Sequence, residues 1–223
     1  MKTNIKRLYN NRFSKTEQIR KKAIWKVLCN EFFYRYIPEN AVVLDPAAGF
    51  CEFINLIPIR GNGKKIACDL NPEMPKHAGK RVITQVCSAD NLSFLDDNSI
   101  DVIFVSNFFE HLKDKENVLN VLNEFKRILK PNGKLLAMQP NIRFAYNEYW
   151  DFFDHHTALS DRSYIEALNL VGGFKLQEMI PRFMPYTTKS KLPTNPFLVK
   201  MYLKFPIAWK IIGKQFFAVA VKE

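Results

Sequence analysis

Three aspartates, Asp45, Asp69 and Asp90, each stand at or just after the end of a short apolar run. In open α/β sheets, ligands bind beyond the carboxyl ends of the strands, where the strand order reverses. A carboxylate there can accept hydrogen bonds from both hydroxyls of a ribose. Asp69 lies 20 residues beyond Gly49, the separation expected of a ribose-binding acid, and Gly49 would let the backbone approach the ligand closely. Singly, each aspartate could be a strand-end cap; three in register argue for a nucleoside site. The stretch VVLDPAAGFCEFI (42–54) carries Cys51 where a dinucleotide site has its second glycine. That glycine exists so that the main chain can touch a pyrophosphate. Cys51 therefore counts against NAD. S-adenosylmethionine has no phosphate, tolerates a side chain at position 51, and brings a cationic sulfonium that suits acidic surroundings.

The elements that must position these residues follow from periodicity. Residues 17–36 place Ile19, Ala23, Ile24, Val27, Leu28 and Phe32 at helical spacing, and Pro38 ends that helix. After the strand at 42–44, KKIACDL, RVITQV and NSIDVIFVSN predict three more strands, the last of them continuous enough in apolar β-formers to be covered on both faces. Residues 114–130 form an amphipathic helix, the turn KPNG leads into a fifth strand KLLAMQ, and a helix near 160–171 ends at Gly172 and Gly173. FKLQEMI and QFFAVAVK complete seven strands. The alternation predicts an α/β, Rossmann-like, mostly parallel sheet with helices on both faces. Residues 1–223 read as one domain: a basic helical segment (1–38), a cofactor-binding core (39–180), a basic aromatic insertion (181–214) and the last strand (215–223).

The net charge of +11 is unevenly spread. Residues 1–35 carry ten Lys/Arg against two acids, and residues 179–222 carry eight and no acid, around a slightly acidic centre. Basic flanks suggest an anionic partner. In the stretch 189–214, Phe197, Tyr202, Phe205 and Trp209 interleave with Lys200, Lys204, Lys210 and Lys214, and Pro206 divides any helix there in two. Such a stretch suits the surface of an anionic membrane, or else packs its aromatics on the sheet. Cys29, Cys51, Cys68 and Cys87 form no C-x-x-C pair and read as reduced thiols of a cytoplasmic protein. No apolar run reaches the ~18 residues of a membrane span.

VLDPAAGFCEF, CDLNPE, SAD, DVIFVSNFFEHLKD and FKRILKPNGKLLAMQPN, in this order, resemble the class I S-adenosylmethionine-dependent methyltransferases over residues 40–180. The resemblance implies that Asp45, Ala47 and Gly49 cradle the methionine end. It places the ribose on Asp69, the adenine against Leu70 and the neighbouring Asn71, Ala89 and Asp90 beside the base, and Asn107 and Phe108 toward the methyl group. Pro46-Ala47-Ala48 and Cys51 depart from the usual turn. Cys51, HHTALSDRS and RFMPYTTKSKLP…YLKFPIAWKIIGKQ further resemble a bacterial subgroup associated with polysaccharide and glycolipid biosynthesis, which implies a sugar hydroxyl as acceptor, on a glycan or lipid-linked glycan.

Methyl transfer is an in-line displacement that requires positioning and exclusion of water, and no metal is required. A sugar hydroxyl benefits from a general base with a pKa near the working pH, and histidine fits. Of the four histidines, His77 lies in a polar loop without an evident role. His111, in FFEHL, is either a helix-start hydrogen-bonding group or a site residue. His155 and His156 follow NEYWDFFD in the segment expected to roof the acceptor, and are preferred to His111 as the base; that segment could also be a packed lid. Arg143, Tyr146, Tyr149 and Trp150 could shape the pocket, since a sugar often lies against an aromatic face. The rivals are a methyltransferase for a quinone or other small molecule, an RNA methyltransferase, for which SNFF lacks the prolines of the usual signature, and a non-catalytic binding module of the same fold.

Overall fold

A computed structural model describes residues 15–186 and 195–223. Residues 1–14 of the basic amino-terminal segment and residues 187–194 of the insertion, including Lys189 and Lys191, lie outside the described residues.

Seven strands form one sheet: β1 (Val42–Asp45), β2 (Lys64–Asp69), β3 (Val82–Val86), β4 (Ile100–Ser106), β5 (Leu129–Pro140), β6 (Phe174–Ile180) and β7 (Gln215–Lys222). Their order is β3-β2-β1-β4-β5-β7-β6, with β7 antiparallel to both its neighbours and the other pairings parallel. The order reverses between β1 and β4, so the crevice lies beyond Asp45 and Ser106.

Side chains alternate across the sheet with the period of two that strands impose. Leu44, Ile103, Val105, Leu135 and Ala137 face one helical layer; Val43, Val102, Phe104, Leu136 and Met138 face the other. The first layer holds α3 (Lys115–Ile128) and α5 (Asp161–Val171). Asp114 caps α3 by accepting from the Asn117 N–H at 2.9 Å, and Val118, Val121, Leu122, Phe125 and Ile128 recur at helical spacing on its buried face. A Ser160–Ser163 capping box opens α5 and Gly172 closes it. The second layer holds α1 (Lys15–Glu31) and α2 (Glu52–Leu56). Its core is aromatic: Phe53 stacks on Phe104 with centroids 3.8 Å apart, Phe32 stacks on Phe183 at 4.3 Å, and Trp25 meets Phe104 edge-on at 5.9 Å.

The first helix differs from the sequence reading. It stops at Glu31, a 3-10 turn over Phe33–Tyr36 follows, and Ile19 points to solvent. The break turns Phe32 and Phe33 together into the aromatic core, which one straight helix could not do. The KPNG turn is absorbed into β5: Ile100 pairs with Leu129 and Val102 with Lys134, so residues 130–133 loop out of register, with Asn132 at φ 63°. α4 (Ile142–Tyr149) replaces the loop expected after β5. Beyond β6, Pro206 divides the insertion into α6 (Pro196–Lys204) and α7 (Pro206–Ile212), as its position required. α6 packs near α1, where Lys200 pairs with Glu31 at 2.7 Å, so these two helices of the basic flanks lie on the same side of the sheet. Among the described residues, no helix is long and apolar enough to cross a membrane.

Candidate active site

The end of β1 folds over the end of β2 through backbone donors. Asp69 Oδ2 accepts from the Gly49 N–H at 2.7 Å and Oδ1 from the Asn71 N–H at 2.8 Å. Each oxygen keeps acceptor capacity for a further hydroxyl, as ribose recognition requires. Burial pushes the Asp69 carboxyl above the usual carboxylate range, opposed by those two N–H groups and by His111. Asp45 is buried and raised well above its ordinary value, first by desolvation, against the Ala47 N–H that holds it; Asp69 and Glu52 add repulsion.

Gly49 has φ +51°, a left-handed geometry that favours glycine, and an added Cβ would meet no atom within 4 Å. The surface above it is open. Cys51 also has positive φ (59°), so the position of the absent glycine keeps a glycine-like backbone. Its side chain turns into the core, where the thiol reaches the Met74 carbonyl at 3.8 Å and burial pushes its pKa up to about 12. Cys51 thus leaves the ligand face clear. Leu70 is 61% exposed, an apolar wall beside the aspartate. Asn71 turns back to accept from the Glu73 N–H, Ala89 is buried in the core, and Asp90 is exposed beyond β3. An open glycine turn, a carboxylate with spare acceptor capacity and an exposed apolar wall fit the adenosyl group of S-adenosylmethionine, and no phosphate cradle competes with it.

The far side of the crevice is built from β4, β5 and the segments that follow them. Asn107 has φ +46° and accepts through Oδ1 from Gln215 Nε2 at 2.6 Å. Gln139, buried at the end of β5, accepts the Phe108 and Phe109 N–H groups at 2.9 and 3.3 Å. Those bonds fix the 3-10 turn Phe109–His111 over the crevice. His111 is half-buried, with Nδ1 3.0 Å from the Asp154 carbonyl oxygen. Its ring lies 5.1 Å from that of His155, which is buried against Phe152 (4.9 Å) and Tyr149 (5.0 Å), with Nε2 3.3 Å from the Tyr186 hydroxyl.

The structure therefore brings His111 and His155 together and separates His156. The His156 N–H donates to the Glu110 carbonyl at 2.8 Å, but its ring is exposed. His77 lies elsewhere, against Phe50 at 4.9 Å. Tyr149 is a buried support donating to the Thr157 carbonyl, whereas Tyr146 and Trp150 are exposed. Arg143 pairs with Asp161 at 3.0 Å.

Glu110, like Gln139, is a residue that sequence reasoning missed. It is 2% exposed, and neither carboxylate oxygen has a hydrogen-bond partner among the described residues. Burial pushes its pKa up to about 7, with His111 opposing and Asp154 adding to the rise. Its place in FFEHL, between Phe109 and His111, does not by itself announce burial.

Residues 44–137 match the family model described as a methyltransferase domain. No curated protein matches the chain. Among solved structures, a chain of the Haloferax volcanii complex of the Trm112 methyltransferase activator is similar, with a TM-score of 0.67, 18% identity and 93% of each chain covered. A SAM-dependent methyltransferase from Archaeoglobus fulgidus gives 0.62 at 22% identity, covering 89% of this chain and 94% of that one. Geranyl diphosphate methyltransferase in complex with SAM gives 0.64 at 13% identity, covering 91% and 85%. At these identities the structural likeness is one of fold. The match over residues 44–137 is thus to a methyltransferase domain, on the fold that these S-adenosylmethionine-dependent enzymes share.

Proposed function

We propose that this enzyme methylates a sugar hydroxyl of a lipid-linked glycan at the cytoplasmic surface of an anionic membrane. The observation that carries the reading is the acceptor side of the crevice. Three exposed aromatics, Tyr146, Trp150 and Phe153 (92% exposed), lie on α4 and the turn that leads to His155, whose ring joins the mostly buried Glu110–His111–His155 cluster. Exposed aromatic faces suit the C–H faces of a sugar, and a cluster of titratable groups suits removal of a hydroxyl proton.

Asp69 would hold the ribose and Leu70 the adenine, while the turn from Asp45 to Gly49 would cradle the methionine end. Ala89 and Asp90 would flank the base, and Asn107 and Phe108 would face the methyl group. When bound, S-adenosylmethionine supplies an electrophilic methyl carbon on sulfur. His111, anchored through Nδ1 to the Asp154 carbonyl, would present Nε2 to the acceptor hydroxyl and take its proton, with His155 and Glu110 behind it to share the charge. Phe108 and the α4 aromatics would keep water from the crevice.

The lipid part of the acceptor has a matching surface. A groove of about 450 Å³ is walled by Phe144, Ile180 and Trp209 and carries Arg143, Arg182 and Lys210. Both guanidinium groups lie over the Phe144 ring, at 5.2 and 4.7 Å. Apolar walls with three cations suit a lipid chain ending in phosphate. Beside it, Phe197, Phe205, Ile207 and Ile211 are exposed on α6 and α7 together with Lys204 and Lys210, while Trp209 packs on the core and half-buried Tyr202 donates to the Phe183 carbonyl. Membrane and packing roles are thus divided between the aromatics of one stretch.

The same groove supports a second reading, a free prenyl diphosphate or similar small amphiphile as the acceptor. One similar structure is a geranyl diphosphate methyltransferase. Radiolabelled S-adenosylmethionine offered with lipid-linked oligosaccharides or prenyl diphosphates separates the two. Label on the glycan supports the proposal, label on the prenyl chain replaces it, and label on neither overturns both. Lys204→Glu with Lys210→Glu should release the protein from anionic vesicles, at about 1 kcal/mol per lysine. Unchanged flotation removes the membrane part of the reading.

A further inference from the structure

We propose that Glu110, His111 and His155 form a binding site for one divalent first-row transition-metal ion. Each of the three offers a ligand atom, and these atoms lie within 4.8 Å of one another. Metal bonds of ~2.0–2.2 Å place neighbouring donors about 3–3.5 Å apart, so modest side-chain rotations close the set around an ion.

Three features point to an ion. The Glu110 carboxylate is almost wholly buried with both oxygens unpartnered among the described residues, although burying such a group without a hydrogen bond costs several kcal/mol. A cation would satisfy it. His111 has the outer contact typical of a metal ligand: its Nδ1 meets a main-chain carbonyl, that of Asp154, which fixes the tautomer and leaves the Nε2 lone pair available. His155 is held on its other side by the Tyr186 hydroxyl and stacked on Phe152, so its ring is oriented before any ligand arrives.

Two imidazoles and one carboxylate favour Zn²⁺, Mn²⁺, Fe²⁺ or Co²⁺ over Mg²⁺ or Ca²⁺, which prefer oxygen alone. Three protein ligands leave positions for water or substrate. Displacement at a sulfonium carbon needs no metal, but with the ion in place His111 Nε2 is a ligand rather than the base, and a hydroxyl bound to the cation releases its proton to solvent more readily. That role rests on the O-methylation reading; the binding of the ion does not.

The test is metal binding by the full chain after dialysis against a chelator. Zn²⁺ titrated by calorimetry should bind at one equivalent, and Co²⁺ should give a visible d–d absorption band. Glu110→Gln, His111→Gln and His155→Gln should each weaken Zn²⁺ at least about tenfold and abolish the band, while His156→Gln leaves both unchanged. S-adenosylmethionine binding, measured in parallel, verifies that each variant is folded. Absence of heat and band in protein that binds S-adenosylmethionine overturns the site, as does binding indifferent to all three substitutions. Metal-independent transfer to a glycan would sink the ion's role alone. Metal binding with no glycan methylated would leave the site standing and sink the acceptor reading.

Discussion

At the ends of β1 and β2 the ligand surface is main chain and short side chains: the Gly49 turn, the two N–H groups on Asp69, and Leu70 beside them. Beyond β4 and β5 it is built from side chains brought together over long sequence separations, with Gln215 reaching Asn107, Gln139 holding Phe108, and His155 packed on His111. The first region is fixed by the strands that carry it. The second depends on α4, the following turn and β7 all being in place. On the proposed function, cofactor binding needs only the first and choice of acceptor belongs to the second.

Substitutions that strike one region and spare the other test this division. The largest effect should come from His111→Ala, which should lower methyl transfer about 10²–10⁴-fold while the affinity for S-adenosylmethionine, read by calorimetry, stays within a few-fold. A parallel loss of cofactor affinity would merge the two regions. Next, Asp69→Ala should weaken S-adenosylmethionine at least about 10²-fold, since hydrogen bonds to a charged acceptor contribute about 1.5–3 kcal/mol each. The near-ultraviolet circular dichroism of the aromatic acceptor side should not change.

Smaller effects concern the scaffold that both regions share. Ser160→Ala removes the cap of α5 and should cost about 1 kcal/mol in urea unfolding, with cofactor affinity unchanged. The last prediction is a pH slope. Burial raises the Asp45 carboxyl in the fold, so the folded state holds its proton more tightly than the unfolded chain. Its contribution is fully present below the unfolded value of ~3.9 and is lost as pH rises through the folded value. Asp45→Asn keeps the acceptor for the Ala47 N–H and removes the titration. Its unfolding midpoint should therefore fall less than that of the parent as pH rises above about 4. A parallel fall in both proteins would show that Asp45 is not the source.

What could be read in the sequence follows the same division. FKLQEMI and QFFAVAVK are found as strands at Phe174–Ile180 and Gln215–Lys222, because β-formers bounded by Gly, Pro or Lys need little context. Asp69 follows from its distance to Gly49, a spacing the strand–turn–helix geometry imposes. The helix Ile142–Tyr149 was hidden because NIRFAYNEYW carries aromatics on its exposed as well as its buried side, blurring the helical period. Glu110 and Gln139 could not be recognised because nothing local announces that a polar side chain is buried; only packing of the chain around FFEHL makes them so. The histidines were visible as a type, yet adjacent residues 155 and 156 point to different surroundings, and the backbone decides which one enters.

The place of β7 has a consequence for the order in which the protein can be made. It is the last of the seven strands to leave the ribosome, but it lies between β5 and β6, antiparallel to both. Until it arrives, β6 has no neighbour in the sheet and β5 ends in an open edge lined by Leu135, Leu136, Ala137 and Met138. Such edges template pairing with other chains. Completion of the sheet therefore waits on residues 215–222, and the nascent protein passes through a stage in which that edge is open.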